Sequence, residues 1–132
     1  MANTTAVTLK SGAGDVTVEV AVQYPHPAAI TVAVYNENRQ KERDVGSALS
    51  MEPPDPDEFG VSPNDEVPTL HKKLIGVFVS IGSFSGAPEE SYVVVSSLRQ
   101  GGSAVSGGLV VRPGVVKDGG AGVIIGYKTE VA

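Results

Sequence analysis

There is no cysteine among the 132 residues, which removes disulfides, thiolate nucleophiles and Cys-ligated zinc or iron–sulfur centres together. Tryptophan is also absent, so three Phe and four Tyr supply all the aromatic surface. Only two histidines occur, His26 between two prolines and His71 beside Lys72 and Lys73. Two isolated histidines are too few to propose a zinc site, and no serine and acid are singled out as their partners for nucleophilic catalysis. No apolar run approaches the roughly 20 residues a membrane helix needs. The opening Met1-Ala-Asn-Thr-Thr has neither the basic start nor the apolar stretch of a signal peptide, so the expected location is cytoplasmic or reached by non-classical export. Positive charge is scarce, with ten Lys and Arg against fifteen acids and a net charge of −5. That argues against nucleic acid as a partner.

What is present points to strands. Sixteen glycines and many valines disfavour helices and suit short strands joined by tight turns. Val16, Val18, Val20 and Val22 alternate with Thr17, Glu19 and Ala21, which predicts a strand with one apolar face over 15–24. After Pro25-His26-Pro27, Ile30, Val32 and Val34 alternate again, so 15–36 reads as a hairpin or a corner between two sheets. Asn36-Glu37-Asn38 reads as a turn, and Arg39–Asp44 as a solvated edge strand or one helical turn, the edge strand being preferred because its Lys and Arg would discourage edge-to-edge pairing. Ile75, Val77, Val79 and Ile81 mark a strand over 74–81, and Tyr92–Leu98 a further one. Residues 101–108 read as small and turn-like, Pro113-Gly114 as a turn, and Asp118-Gly119 as a tight hairpin. Val123, Ile125, Tyr127, Thr129 and Val131 share one face of the last strand. No helical period of useful length occurs. The expected fold is therefore a single all-β domain over 1–132, an antiparallel β-sandwich of jelly-roll or Ig-like type with about seven or eight short strands.

The chemically distinctive stretch is Ser47–Thr69, which holds five of the nine prolines and six of the fifteen acids, with no Lys or Arg. It is expected to be one long loop, and loops of that length without structure of their own are mostly functional or disordered. Within it, Asp55-Pro-Asp57-Glu-Phe59-Gly60 through Glu66 partly matches an EF-hand loop, with Asp55, Asp57 and Glu66 as candidate calcium ligands and Gly60 at the sharp turn. Phe59 stands where a third oxygen belongs, so calcium is the secondary reading. Ser62-Pro63-Asn64-Asp65 has the form of a helix start. A large apolar group amid acids suits an anchor in a partner's pocket, so Phe59, Asp57, Glu58 and Asp65 are the candidate partner-binding residues.

Other motifs carry less. Gly82-Ser-Phe-Ser-Gly86 resembles a nucleophile elbow only superficially, with Phe84 where serine is needed. Gly119-Gly-Ala-Gly122 lacks the spacing and the following helix of a dinucleotide site. The leading expectation is a non-enzymatic protein-interaction or assembly module, a surface or coat component of a homo-oligomer, without a cofactor. The alternative is a lectin-like carbohydrate-binding module, with or without calcium in the 55–66 loop, with Tyr24, Tyr35, Phe59, Phe84 and Tyr92 as possible sugar platforms.

Overall fold

The computed structural model describes residues 4–23, 28–50, 56–82, 89–117 and 120–132. Among these residues nine strands run in chain order: β1 (Thr4–Leu9), β2 (Val16–Gln23), β3 (Ala28–Tyr35), β4 (Lys41–Ser50), β5 (Asp57–Ser62), β6 (Lys73–Gly82), β7 (Glu89–Gln100), β8 (Ser103–Lys117) and β9 (Gly120–Val131), with a 3-10 helix (Asn64–Leu70) between β5 and β6. The hydrogen-bonded path is β4-β3-β6-β9-β8-β7-β2-β5, with β1 added parallel to β9. Among the described residues β8 and β9 share only the pair Lys117↔Gly120. The path therefore folds at that hairpin into two layers, β4-β3-β6-β9-β1 and β8-β7-β2-β5. The fold is an all-β, antiparallel-dominated sandwich.

The alternation in the sequence sets which face turns inward. Val16, Val18, Val20 and Val22 of β2 are buried, as are Ile75, Val77, Val79 and Ile81 of β6 and Ile30, Val32 and Val34 of β3. From β9, Val123, Ile125, Tyr127 and Thr129 are buried together. β2 belongs to one layer and β3 to the other, so 15–36 is a corner between sheets. At one side of the sandwich the Arg43 guanidinium of β4 donates to the Val61 carbonyl of β5 at 2.7 Å, tying the two edge strands across the layers. Charged β4 is an edge strand, as its sequence predicts.

Three expectations give way. Ser47–Thr69 is not one loop: it contains the end of β4, all of β5 and nearly all of the 3-10 helix, while residues 51–55 lie outside the described residues. Residues 103–108 and Pro113-Gly114 are strand, inside the fifteen-residue β8. Proline is tolerated there because β8 is paired to β7 alone through this stretch, leaving one side of its ladder needing no donor. Gly114 faces Tyr92 across that pair, and a Cβ on it would lie 2.2 Å from the Tyr92 hydroxyl oxygen. The glycine is there to admit a ring, not to turn the chain.

The 3-10 helix covers one end of the core with Val67 and Leu70. Its first free N–H, on Asn64, donates to Asp15 Oδ1 at 2.8 Å, while Asn64 Oδ1 accepts from Gly14 N. The cap thus comes from the β1–β2 turn and not from Ser62, whose hydroxyl donates to the Pro63 carbonyl. That turn packs directly on the β7–β8 turn. Gly14 (φ +118°) and Gly101 (φ +61°) approach so closely that a Cβ on Gly14 would lie 2.5 Å from Gly101 Cα. Here two left-handed glycines meet backbone to backbone.

Candidate interaction face

The predicted anchor turns inward. Phe59 is only 7% exposed and belongs to the core, with its Cδ1 in contact range of Gly46 in β4. In an extended strand Asp57, Phe59 and Val61 point one way and Glu58 and Gly60 the other. The register Phe59↔Val18 therefore sends the ring into the sandwich with the β2 valines. Phe59 cannot fill a partner's pocket from there.

The other residues of that group are dispersed. Asp57 opens β5 half-buried, with Oδ2 lacking a hydrogen-bond partner among the described residues. Glu58 is exposed on the outer face of β5, and Asp65 and Glu66 are exposed in the first turn of the 3-10 helix. Gly60 is in mid-strand, paired with Thr17, so the sharp turn that the EF-hand pattern requires at this glycine is absent. Asp55 lies outside the described residues, and among the described ones no group of three acids or histidines could hold a metal. Of the aromatic platforms, Tyr92 is buried, and half-buried Tyr35 meets Phe78 edge to face at 6.0 Å. Tyr24, Phe84 and His26 lie outside the described residues. The His71 Nδ1 accepts from Val131 N at 3.0 Å, which makes it a structural acceptor that joins the helix end to β9.

The sequence reading missed the outer face of the β8-β7-β2-β5 layer. Along β8, Leu109 (63% exposed), Val111 (48%) and Val115 (41%) stand in one row, with exposed Pro113 between them. Register pairs Val111 with Val95 and Pro113 with Val93 on β7, and Val95 with Ala21 on β2. Val93, Val95 and Ala21 are half-buried and extend the row into a continuous apolar patch. On its β2–β5 side the patch meets an acidic flank, where Glu19 and Glu58 sit directly opposite each other and Arg99 Nε lies 3.9 Å from Glu19. The one signal in the sequence was the alternation Leu109-x-Val111-x-Pro113-x-Val115, concealed by the glycines and proline around it.

Comparison with known proteins bears on the fold alone. No family model matches the chain, and no curated protein matches it. Among solved structures, it is similar to a DUF4425 family protein from Bacteroides ovatus, at 12% identity and a TM-score of 0.52, over 86% of this chain and 94% of the other. A domain of unknown function, DUF4425, from Bacteroides vulgatus is similar at 8% identity and a TM-score of 0.52, over 90% and 97%. At these identities the likeness is one of architecture.

Proposed function

We propose that the protein is a non-enzymatic interaction module that pairs with a second copy of itself through the outer face of β7 and β8. The observation that carries this reading is the exposed row Leu109, Val111 and Val115 lying against Val93 and Val95. The largest exposed apolar patch of a domain, commonly a few hundred Å², is often functional, and each Å² removed from water contributes about 25 cal/mol. Two such faces can stack as sheets do, about 10 Å apart.

Self-pairing suits the placement of charge. A two-fold axis along the strands, between β7 and β8, lays the β8 of one copy over the β7 of the other. The two Glu19 rows then stand about 14 Å apart, three strand spacings of about 4.8 Å, which exceeds the screening length of about 8 Å at physiological salt. The acidic flanks clear each other and the apolar rows meet. The apolar row is about 20 Å long, from the six steps between Leu109 and Val115 at about 3.3 Å each, and two to three strands wide. Its area is below the roughly 800 Å² per partner of a standard interface, so the expected pairing is reversible.

Sedimentation equilibrium from micromolar to millimolar protein should show a monomer–dimer equilibrium with a Kd between roughly 1 μM and 1 mM. Val111→Lys should weaken it at least tenfold, about 1.4 kcal/mol, with the unfolding free energy within about 0.5 kcal/mol because the position is exposed. A wild-type chain that stays monomeric at millimolar concentration, or a Val111→Lys variant that dimerises equally well, would remove the reading.

A further inference from the structure

A cleft of about 280 Å³ lies on the other layer, remote from the apolar row, and its lining includes Glu37, Arg39, Lys72, Lys73, Lys128 and Glu130. Four of the ten bases of a chain with net charge −5 converge there. They come from three places distant in sequence: the β3–β4 turn, the turn after the 3-10 helix together with the first residue of β6, and the end of β9. The lining carries two more positive than negative charges. Leu74, buried and paired with Lys128 in the β6–β9 register, supplies an apolar element among them.

The backbone at this cleft is unusual in one respect. Arg39 (φ 62°) and Lys72 (φ 56°) are the non-glycine residues with left-handed backbone among those described, and both line it. A left-handed non-glycine residue costs of order 1–3 kcal/mol and persists where the surroundings impose it, often at a binding site. Both are locked by hydrogen bonds. Arg39 N donates to the Asn36 carbonyl at 3.0 Å, and Asn36 Oδ1 accepts from Asn38 N and Gln40 N. Lys72 N donates to the Thr129 carbonyl at 2.9 Å. Glycine would suit either turn better, yet each carries a long cationic side chain into the same cleft. Lys73 is engaged by Glu42, whereas Arg39, Lys72 and Lys128 form no ion pair with another described residue.

We propose that this cleft binds a small anionic sugar, with its phosphate or carboxylate held by Arg39, Lys72 and Lys128 and its hydroxyls donating to Glu37 and Glu130. Cations alone would suit any anion. The two exposed carboxylates placed among them favour a ligand that brings hydrogen-bond donors with its charge, and a hydroxylated ring does so. The volume, near the lower end of small-ligand sites, suits one sugar unit and not a chain.

The test is a titration of the ¹⁵N-labelled full chain, followed by NMR, with glucose 6-phosphate, glucuronate, inorganic phosphate and glucose. At least one sugar acid should bind with a Kd at or below about 1 mM, tenfold tighter than inorganic phosphate or glucose, and shift amides at 36–40, 72–74 and 128–130. Arg39→Gly/Lys72→Gly should lose binding by at least tenfold while its melting temperature holds or rises, because glycine relieves the left-handed backbone. Lys128→Gln, on a regular strand, should weaken binding by about tenfold, the loss of one charge-assisted contact. Absence of binding by both sugar acids, binding no tighter than that of phosphate, shifts spread over lysines elsewhere, or unchanged affinity in the folded variants would each overturn the proposal.

Discussion

Replacing Phe59 with alanine should lower the unfolding free energy by about 3–5 kcal/mol, the usual cost of emptying a buried aromatic site. The ring is 7% exposed and enters the sandwich from β5, a six-residue edge strand paired, among the described residues, only with β2. It stands beside Val18 in register and reaches Gly46 of β4, in the opposite layer. Without it, β5 loses its largest apolar side chain and the layers lose a contact where their edges meet. Urea denaturation of wild type and variant would measure the difference. A change below about 1 kcal/mol would mean that the ring stands in water, since exposed positions fall within about 0.5 kcal/mol.

A second substitution makes the test specific. A Cβ on Gly46 would lie 3.1 Å from Phe59 Cδ1, so Gly46→Ala in the wild type must displace the ring by a few tenths of an ångström. In the Phe59→Ala background the added methyl enters vacated space. The two effects should therefore fail to add, with a coupling of about 0.5–3 kcal/mol, as expected for residues in contact.

Phe59 also shows where sequence reading succeeds and where it stops. Strands β2, β3, β6 and β9 were legible because each buries one face. An alternating row of Val and Ile, as in Val16 to Val22, has no other economical arrangement. The segment Asp57-Glu-Phe59-Gly-Val61-Ser62 alternates in the same way, and Pro56 and Pro63 bracket it at positions where no ladder donor is needed. Its six-residue length and the density of acids around it made composition outweigh period. β8 was obscured differently. Gly107, Gly108 and Gly114 resemble turn signals, yet Gly108 has no room for a Cβ, which would lie 2.7 Å from the Leu98 carbonyl oxygen, and Gly114 makes room for Tyr92.

The two candidate sites were invisible for a further reason: both are tertiary. Val93, Val95 and Val111 form a patch only through the β7–β8 register. Arg39, Lys72 and Lys128 share a cleft only because β3, β6 and β9 are neighbours whose ends coincide. Neither set has a spacing along the chain that would unite it.

The stability of the sandwich should fall steeply between about pH 10 and pH 12, with Tyr127 contributing up to about 3 kcal/mol of the loss. Tyr127 is fully buried on β9, and its hydroxyl reaches into the other layer, 2.6 Å from Ser96 Oγ on β7 and 2.9 Å from the Gly108 carbonyl on β8. With one proton to give, it donates to the carbonyl and accepts from the serine. Burial pushes its pKa from 10.0 up to about 12, against the smaller opposing effects of the Ser96 hydrogen bond and the Arg112 charge. Below pH 10 the folded and unfolded chains both keep the proton, and the stabilisation is present in full. As pH rises through 10 the unfolded chain ionises first, which favours unfolding, and the loss is complete once the folded group also ionises near 12. Tyr127→Phe is the reference that isolates this hydroxyl. At pH 8 that variant should be about 1–3 kcal/mol less stable, because the buried Gly108 carbonyl and Ser96 hydroxyl each lose a partner. Between pH 9 and pH 12 the gap between wild type and variant should close, because only the wild type still has a buried phenol to ionise. A gap constant across that range would mean that the hydroxyl titrates as though in water and does not join the layers through the core.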